Sequence, residues 1–456
     1  MPIKPITPKG TRDFSSIEVV RRTYLKQLLQ KAFETFGFQP IETPSFERLE
    51  TLTGVYGEEG DRLVFKILNS GEKVKNADLE ALTQGDYKKF VYSLSEKALR
   101  YDLTVPFARY VAQHQNQILF PFRRYQIQPV WRADRPQYGR FQEFFQCDAD
   151  IVGSRSLWQE IEILSLYDNV FSKLKMKGVS LKINHRKILS GIAALLGAES
   201  KLTTFTVALD KLDKIGKEGV IKELRSNDFN ENTLDTLGEL LKLNGNAFDQ
   251  LHILEKLLVN HDEGLEGINE LKFIFSKLQV SALKTVILNF DLTLARGLHY
   301  YTGMIVEVIA PENVKVGSIG GGGRYDDLTG TFGLKNMSGI GISFGFERIY
   351  LVMEALALFP ETLHSSPKVL FANFGEAPAE IAYQYVNKLR AIDVACELYP
   401  TEVKLKKQLA YANDKKIPKV ILIGSEELEQ NKFVIKDMDT SVQTSHPITE
   451  LLSLLC

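Results

Sequence analysis

From Arg123 to Gly153 polar and apolar residues alternate with a period of two, in two consecutive runs. Arg124, Gln126, Gln128 and Arg132 take one side of the first run, and Tyr125, Ile127, Pro129 and Trp131 the other. In the second run Gln142, Gln146, Asp148 and Asp150 stand against Phe141, Phe145, Cys147 and Ala149. The turn-forming ADRPQYGR between the runs predicts a hairpin. Its apolar face requires a packed layer behind the sheet. Its other face carries arginines, amides and carboxylates where an ordinary outer face would carry Thr, Lys or Glu. Two readings of that face stand, a solvated surface or the floor of a polar site.

Elsewhere the period changes. Ser15 to Phe36 carries a capping box in Ser15 and Glu18, an apolar stripe through Ile17, Val20, Tyr24, Leu28, Ala32, Phe33 and Phe36, and a stop at Gly37, which predicts an amphipathic helix. Pro44 within FQPIETPSFERLE excludes a central strand and predicts a sheet edge or a subunit contact. The polar stretch Lys73 to Lys89 reads as an exposed loop. ALRYDLTVPFARYVA alternates, setting Asp102 and Thr104 opposite Tyr101, Leu103 and Val105, before Pro106 opens a helix. No proline falls between Pro136 and Pro311, and residues from about 190 to 285 are spaced as helices, the pattern of a helical insertion. After Ser365 to Pro367, apolar strands alternate with helical runs, predicting a small α/β domain with a mostly parallel sheet.

Composition narrows the function classes. A length of 456 residues exceeds one ordinary core. The formal net charge of -1 excludes a broadly basic footprint, so a nucleic acid would be met through local patches and shape. Cys147, Cys396 and Cys456 match neither a CxxC pair nor an even disulfide framework, which fits a reducing compartment. No apolar run approaches the roughly 20 residues of a membrane span. The expectation is a cytosolic protein with no membrane contact.

Two stretches carry candidate chemistry. GGGG before Arg324 fits neither GxGxxG nor GxxxxGK[ST], leaving close backbone packing at a sheet or a phosphate loop of another kind. In GISFGFERIYLVME, Arg348 falls at a predicted helix start near Glu347, where the helix dipole disfavours a cation unless an anion lies close or Glu347 or Glu354 pairs with it. The histidines form no HxxxH or HExxH, and GxSxG is absent. What remains is Arg132, Arg296 and Arg348 with Asp102, Thr104, Gln146 and Asp150, a set suited to a phosphate ester and a small zwitterion.

The motifs together resemble the histidyl-tRNA synthetases, a family of class II aminoacyl-tRNA synthetases, across nearly the whole chain. FQPIETPSFE resembles the first class motif, the hairpin with WRAD and GRFQEFFQ the second, and FGFER at 344–348 the third. ARGLHYYTG resembles the family's RGLDYYTG signature and GGGGRYDDL its GGGRYD, with PKGTRDF near the start as a further match. The resemblance implies an α+β fold: an antiparallel sheet flanked by helices in a catalytic domain over 1–360, interrupted by the insertion at about 190–285, and an anticodon-binding α/β domain over 366–456.

It also implies roles. Arg132, Arg296 and Arg348 would be catalytic, with Arg132 on the α-phosphate of ATP, Arg348 clamping the nucleotide, and Arg296 at the reacting carboxylate. Arg140 and Glu143 would complete the ATP site, Glu143 also contacting Mg²⁺. Asp102, Thr104 and Gln146 would hold the ammonium of L-histidine, and Asp150 and Tyr301 its imidazole, with Tyr325 beside them. The partners implied are tRNA(His) and a second copy of the chain in a homodimer. His299 departs from the family's usual Asp, and Asp102 and Asp150 are shorter than the Glu of many members. The alternative is an inactive histidine-sensing relative like the regulatory subunit of ATP phosphoribosyltransferase, a class that typically lacks the carboxy-terminal domain.

Overall fold

The computed structural model describes residues 4–54, 57–281, 283–295 and 300–455, and the chain divides into two units, Met1–Pro360 and Glu361–Cys456. Strands described in the first unit are β1 (Gln39–Pro40), β2 (Phe46–Arg48), β3 (Lys66–Ile67), β4 (Lys97–Leu99), β5 (Phe122–Trp131), β6 (Glu143–Val152), β7 (Ser180–His185), β8 (Ile287–Phe290), β9 (Met304–Ile309), β10 (Ser318–Tyr325) and β11 (Gly339–Gly345). Eight of them form one sheet in the order β1-β5-β6-β11-β10-β9-β7-β8. Its interior pairings are antiparallel, and only the outermost, β1 with β5 and β7 with β8, are parallel. The remaining strands make a small sheet ordered β2-β4-β3.

The hairpin is β5 and β6, paired from Phe122 opposite Val152 to Trp131 opposite Glu143. Tyr125, Ile127, Cys147 and Ala149 enter the main core with Leu25, Leu29 and Phe33 of helix Ser16–Thr35 and Tyr167 and Phe171 of helix Trp158–Lys173. The first helix keeps its capping box, but the buried line runs through Arg22, Leu25, Leu29, Ala32 and Phe33, rotated from the predicted stripe. Arg22 draws the helix that way because its guanidinium reaches the carboxylate of Glu347 at 2.6 and 2.7 Å. On the opposite face of the hairpin Arg124, Gln126, Asp148 and Asp150 are at most 2 % exposed. A second cluster that includes Tyr101, Val105, Phe107 and Tyr325 covers them, so the solvated-surface reading fails.

Two local expectations change. The run through Asp102 ends as strand at Leu99; helix Thr104–His114 begins five residues later, and Asp102 Oδ1 accepts from the Val105 amide at 3.1 Å. Lys73 to Lys89 is a 3-10 turn and short helices rather than a loop, because Asp78 and Asp86 cap Leu79–Thr83 and Tyr87–Ser93 through bonds from the Ala81 and Lys89 amides. Between β7 and β8 the chain is helical: Arg186–Leu195, Leu202–Leu209, Leu212–Ser226, Glu231–Leu240, Ala247–Leu257 and Asp262–Ser281.

The second unit continues with β12 (Val369–Phe371), β13 (Cys396–Leu398), β14 (Lys419–Leu422), β15 (Lys432–Asp437) and β16 (Gln443–Pro447), ordered β13-β12-β14-β15-β16. The sheet is half parallel rather than mostly so, because β15 and β16 return as a hairpin on β14. Helices Glu376–Arg390 and Leu405–Asp414 connect its parallel strands.

Candidate active site

Register on the polar face of the sheet assembles the site. Asp150 of β6 lies between Arg124 of β5 and Gly341 of β11; Asp148 lies between Gln126 and Ser343; Gln146 lies between Gln128 and Gly345. Gly341 is required there, since a Cβ on it would meet Asp150 Oδ1 at 1.9 Å. A cavity of about 80 Å³ opens over this row. Asp102, Thr104, Gln146, Asp150, Tyr301 and Tyr325 all line it, and so does Asp148.

The carboxylates and the Tyr325 phenol that line the cavity are themselves buried. Asp150 takes the Tyr325 hydroxyl on Oδ1 at 2.7 Å, and its Oδ2 lies 2.7 Å from Arg124 Nη2, an ion pair by distance without linear hydrogen-bond geometry. Arg124 also lies 4.1 Å from the centre of the Phe107 ring. Burial raises the Asp150 carboxyl above its ordinary range against the pull of Arg124. Burial, opposed by Arg124 and reinforced by Asp150, pushes Asp148 up to about 7. Burial likewise raises the Tyr301 and Tyr325 phenols, so both hydroxyls keep their protons at neutral pH.

Next to this cavity is a larger one of about 450 Å³, lined by Arg132, Arg140, Phe144, Gly320, Phe346 and Arg348 among others. Four residues line both cavities: Arg132, Gln146, Gly321 and Ser343. Arg132 is held at the junction by its Nε bond to Tyr101 O at 3.1 Å and by the Tyr101 ring at 4.3 Å. Arg348 lies in the first turn of helix Phe346–Ala355. Its guanidinium donates to Ser318 O at 2.6 Å and to Gly139 O at 3.1 Å. Glu347 is instead engaged by Arg12 and Arg22, and Glu354 by Arg21. Those partners hold Glu347 below the usual carboxylate range although burial acts to raise it. Glu347 is thus not the partner of Arg348, which lines the larger cavity.

Arg140 lines the larger cavity and pairs with Asp134. Glu143 is exposed, accepts from the Trp131 indole at 2.8 Å and is not part of either lining. Arg296 and His299 lie outside the described residues. Among the described residues no group of three His, Cys, Asp or Glu is set to hold a metal, and no helix is long and apolar enough to cross a membrane. The four-glycine run is β10, with Gly320 and Gly322 against neighbouring backbone. Arg324 turns to the opposite face, bonding Glu160 at 2.7 Å and Ser338 Oγ at 2.6 Å, which removes it as a phosphate ligand. Sequence reading gave no role to Arg124 or Asp148, although strand alternation had put both on the polar face.

Two family models match the chain, Histidyl-tRNA synthetase over residues 80–349 and Anticodon binding domain over 368–455. The chain is 59% identical to a protein named "Histidine--tRNA ligase" from Christiangramia forsetii over 442 residues, 97% of each chain. It is 55% identical to one of the same name from Flavobacterium johnsoniae over 98% of each. The crystal structure of histidyl-tRNA synthetase from Nostoc sp. PCC 7120 superposes with a TM-score of 0.81 at 27% identity, covering 100% of this chain and 99% of that one. With the paired cavities, the glycine-lined β10 and β11 and these full-length relatives all in agreement, the chain belongs to the histidyl-tRNA synthetase family.

Proposed function

We propose that the protein activates L-histidine with ATP and transfers the histidyl group to the 3′ end of tRNA(His). The observation that carries this reading is the pair of adjoining cavities, one lined by carboxylates, an amide and phenols and the other by arginines, glycines and aromatic rings, with Arg132 and Gln146 common to both. The amino acid's α-carboxylate attacks the α-phosphorus of ATP, pyrophosphate leaves, and histidyl-adenylate forms. An adenosine hydroxyl of the tRNA then attacks the acyl carbon and AMP leaves. No general base is needed for the first step, because a carboxylate with a reference pKa of ~3.5 is already ionised. The barrier comes from bringing two anions together, which fixed guanidinium groups lower by position and charge. Arg132 acts on the α-phosphate, Arg348 on the nucleotide, and Arg296 on the attacking carboxylate, with Arg140 at the cavity rim.

Asp102, Thr104 and Gln146 receive the ammonium; Asp150, Tyr301 and Tyr325 surround the imidazole. Mg²⁺ bound with the nucleotide would offset phosphate charge, and Glu143, now held by the Trp131 indole outside both linings, is the carboxylate that would turn to it. Helical residues between β7 and β8 form the insertion, and residues 366–456 the anticodon-binding domain, where exposed Lys404, Lys406, Lys407, Lys415 and Lys416, with half-buried Lys419, offer a local basic patch. Homodimerisation is part of the proposal, supported by the short edge strand β1 and the half-exposed Phe46 beyond Pro44. The sensing alternative is disfavoured by the Anticodon binding domain match and by the near-complete coverage of ligase relatives. The test is exchange of pyrophosphate into ATP by the purified protein: it should depend on L-histidine, and exchange supported equally by other amino acids would overturn the reading.

A further inference from the structure

Asp148 is the one carboxylate on the cavity floor with no assigned role. Asp150 already has Tyr325 on one oxygen and Arg124 against the other. Asp102 spends an oxygen on the start of helix Thr104–His114. Asp148 is 2 % exposed, and Gln146 Nε2 lies 3.4 and 3.3 Å from its two oxygens and 3.5 Å from Ser343 Oγ. With its amide nitrogen turned that way, Gln146 Oε1 is buried at the junction of the cavities with no partner.

We propose that Asp148 is a positioning and specificity-determining residue: it fixes the Gln146 amide so that Oε1 meets the substrate's ammonium, and its negative charge backs that contact from one hydrogen bond behind. This rests on the histidine-activation reading and adds to it a residue that acts through Gln146. An amide oxygen alone is a neutral acceptor, whereas an acceptor backed by a carboxylate favours a cationic head group over a neutral isostere. Cross-strand register makes the arrangement rigid, since Gln126 and Ser343 flank Asp148 on either side. Charged and titratable groups facing it are Arg124 from β5, Asp150 from its own strand, Asp102 at the helix start, and the Tyr301 phenol, with Arg132 in the same cavity lining. Arg124 is engaged with Asp150, and a ligand ammonium at Gln146 Oε1 would place a positive charge on the far side of the amide that Asp148 holds.

Asp148→Asn keeps the shape and an acceptor for Gln146 while removing the charge. In pyrophosphate exchange the variant should raise the KM for histidine roughly 10- to 100-fold at pH 8, the range for losing one charge-assisted contact, with kcat and the KM for ATP little changed. Because Asp148 in the unliganded protein takes a proton near pH 7, the variant-to-parent ratio of histidine KM should fall toward one below about pH 6. Ionisation of free histidine is common to both proteins and cancels in that ratio. A ratio near one at pH 8, a ratio that does not move with pH, or equal losses in histidine KM, ATP KM and kcat would each overturn the proposal.

Thermal melting separates its failure from that of the functional reading. An acid whose folded pKa lies above its unfolded value stabilises the fold in its protonated form, and that contribution is lost as pH rises through about 7. Asp148→Asn should therefore melt above the parent at pH 8, with the gap narrowing at pH 6 and closing only toward about pH 4. If exchange shows no histidine dependence at all while the melting gap behaves so, the functional reading fails and the buried charge stands. A gap that does not depend on pH overturns the charge assignment itself.

Discussion

Arg132 is tied at the cavity junction by a backbone carbonyl and an aromatic ring, so its guanidinium is already oriented before any ligand arrives. Losing one such preorganised donor costs roughly two to three orders of magnitude in rate. Arg132→Ala should lower single-turnover adenylate formation by that factor with an unchanged melting temperature; near-normal turnover would remove the role. Asp150 behaves differently because two kinds of loss coincide. Asp150→Ala should raise the histidine KM and leave the ATP KM nearly unchanged, and it also strands the fully buried Arg124 without its carboxylate. Breaking a buried pair from one side costs about 3–5 kcal/mol, so the variant should melt well below the parent, and Asp150→Asn less so. Exchange kinetics with histidine and ATP varied separately, beside a melt, check both halves. Alternation in sequence was enough to put Asp148, Asp150 and Arg124 on one face. It could not say that Arg124 stands opposite Asp150, because strand register is set by long-range pairing that a single sequence does not display.

At the scale of elements, β10 explains why four glycines run together. Gly320 and Gly322 look toward the helix-packed face, and a Cβ on Gly322 would meet Gly341 O at 2.1 Å and Ile342 Cα at 2.7 Å. Gly321 looks the other way, lines both cavities, and would bring a Cβ no nearer than 3.1 Å to Val306 O. Gly322→Ala should therefore destabilise the fold by about 1–3 kcal/mol or more, the usual scale of overpacking, whereas Gly321→Ala should cost less stability and yet lose exchange activity. Equal melting losses in the two variants would argue against this division of faces. The hairpin, the first helix and the alternating α/β pattern after Pro367 were legible because each rests on local periodicity. The 3-10 turn and short helices between Gly71 and Ser93 were not, since their stop and start signals are single Asp caps inside polar sequence. Asp102 misled for a related reason: its alternating neighbours mimic a strand, while its side chain nucleates the helix that follows.

At the scale of the whole molecule, two units carry separate hydrophobic cores. Phe371, Val386, Ile421 and Phe433 lie in one cluster of the second unit and Leu370, Ala412 and Val420 in another, whereas every residue of both cavities belongs to the first unit. A chain ending at Pro360 keeps the whole sheet, its helices and the glycine-lined strands, so it should fold as a unit and still form adenylate. What it loses is the segment matched by the Anticodon binding domain model. That segment carries 11 Lys and Arg against 12 Asp and Glu from Ser366 onward, so its grip on RNA cannot come from net charge. The patch proposed for it is the exposed lysines around helix Leu405–Asp414. Contacts of this kind position a nucleic acid and are lost together when the element bearing them is removed. The shortened protein should thus keep histidine-dependent pyrophosphate exchange within a few fold while charging tRNA poorly, with the deficit in the KM for tRNA rather than in the KM for histidine. Mutating Lys404, Lys406 and Lys407 together in the full chain should reproduce part of that rise and make it steeper with added salt in the parent than in the variant. Equal tRNA charging by the shortened and full-length proteins would mean that the second unit does not read the RNA, and that recognition rests wholly on the first.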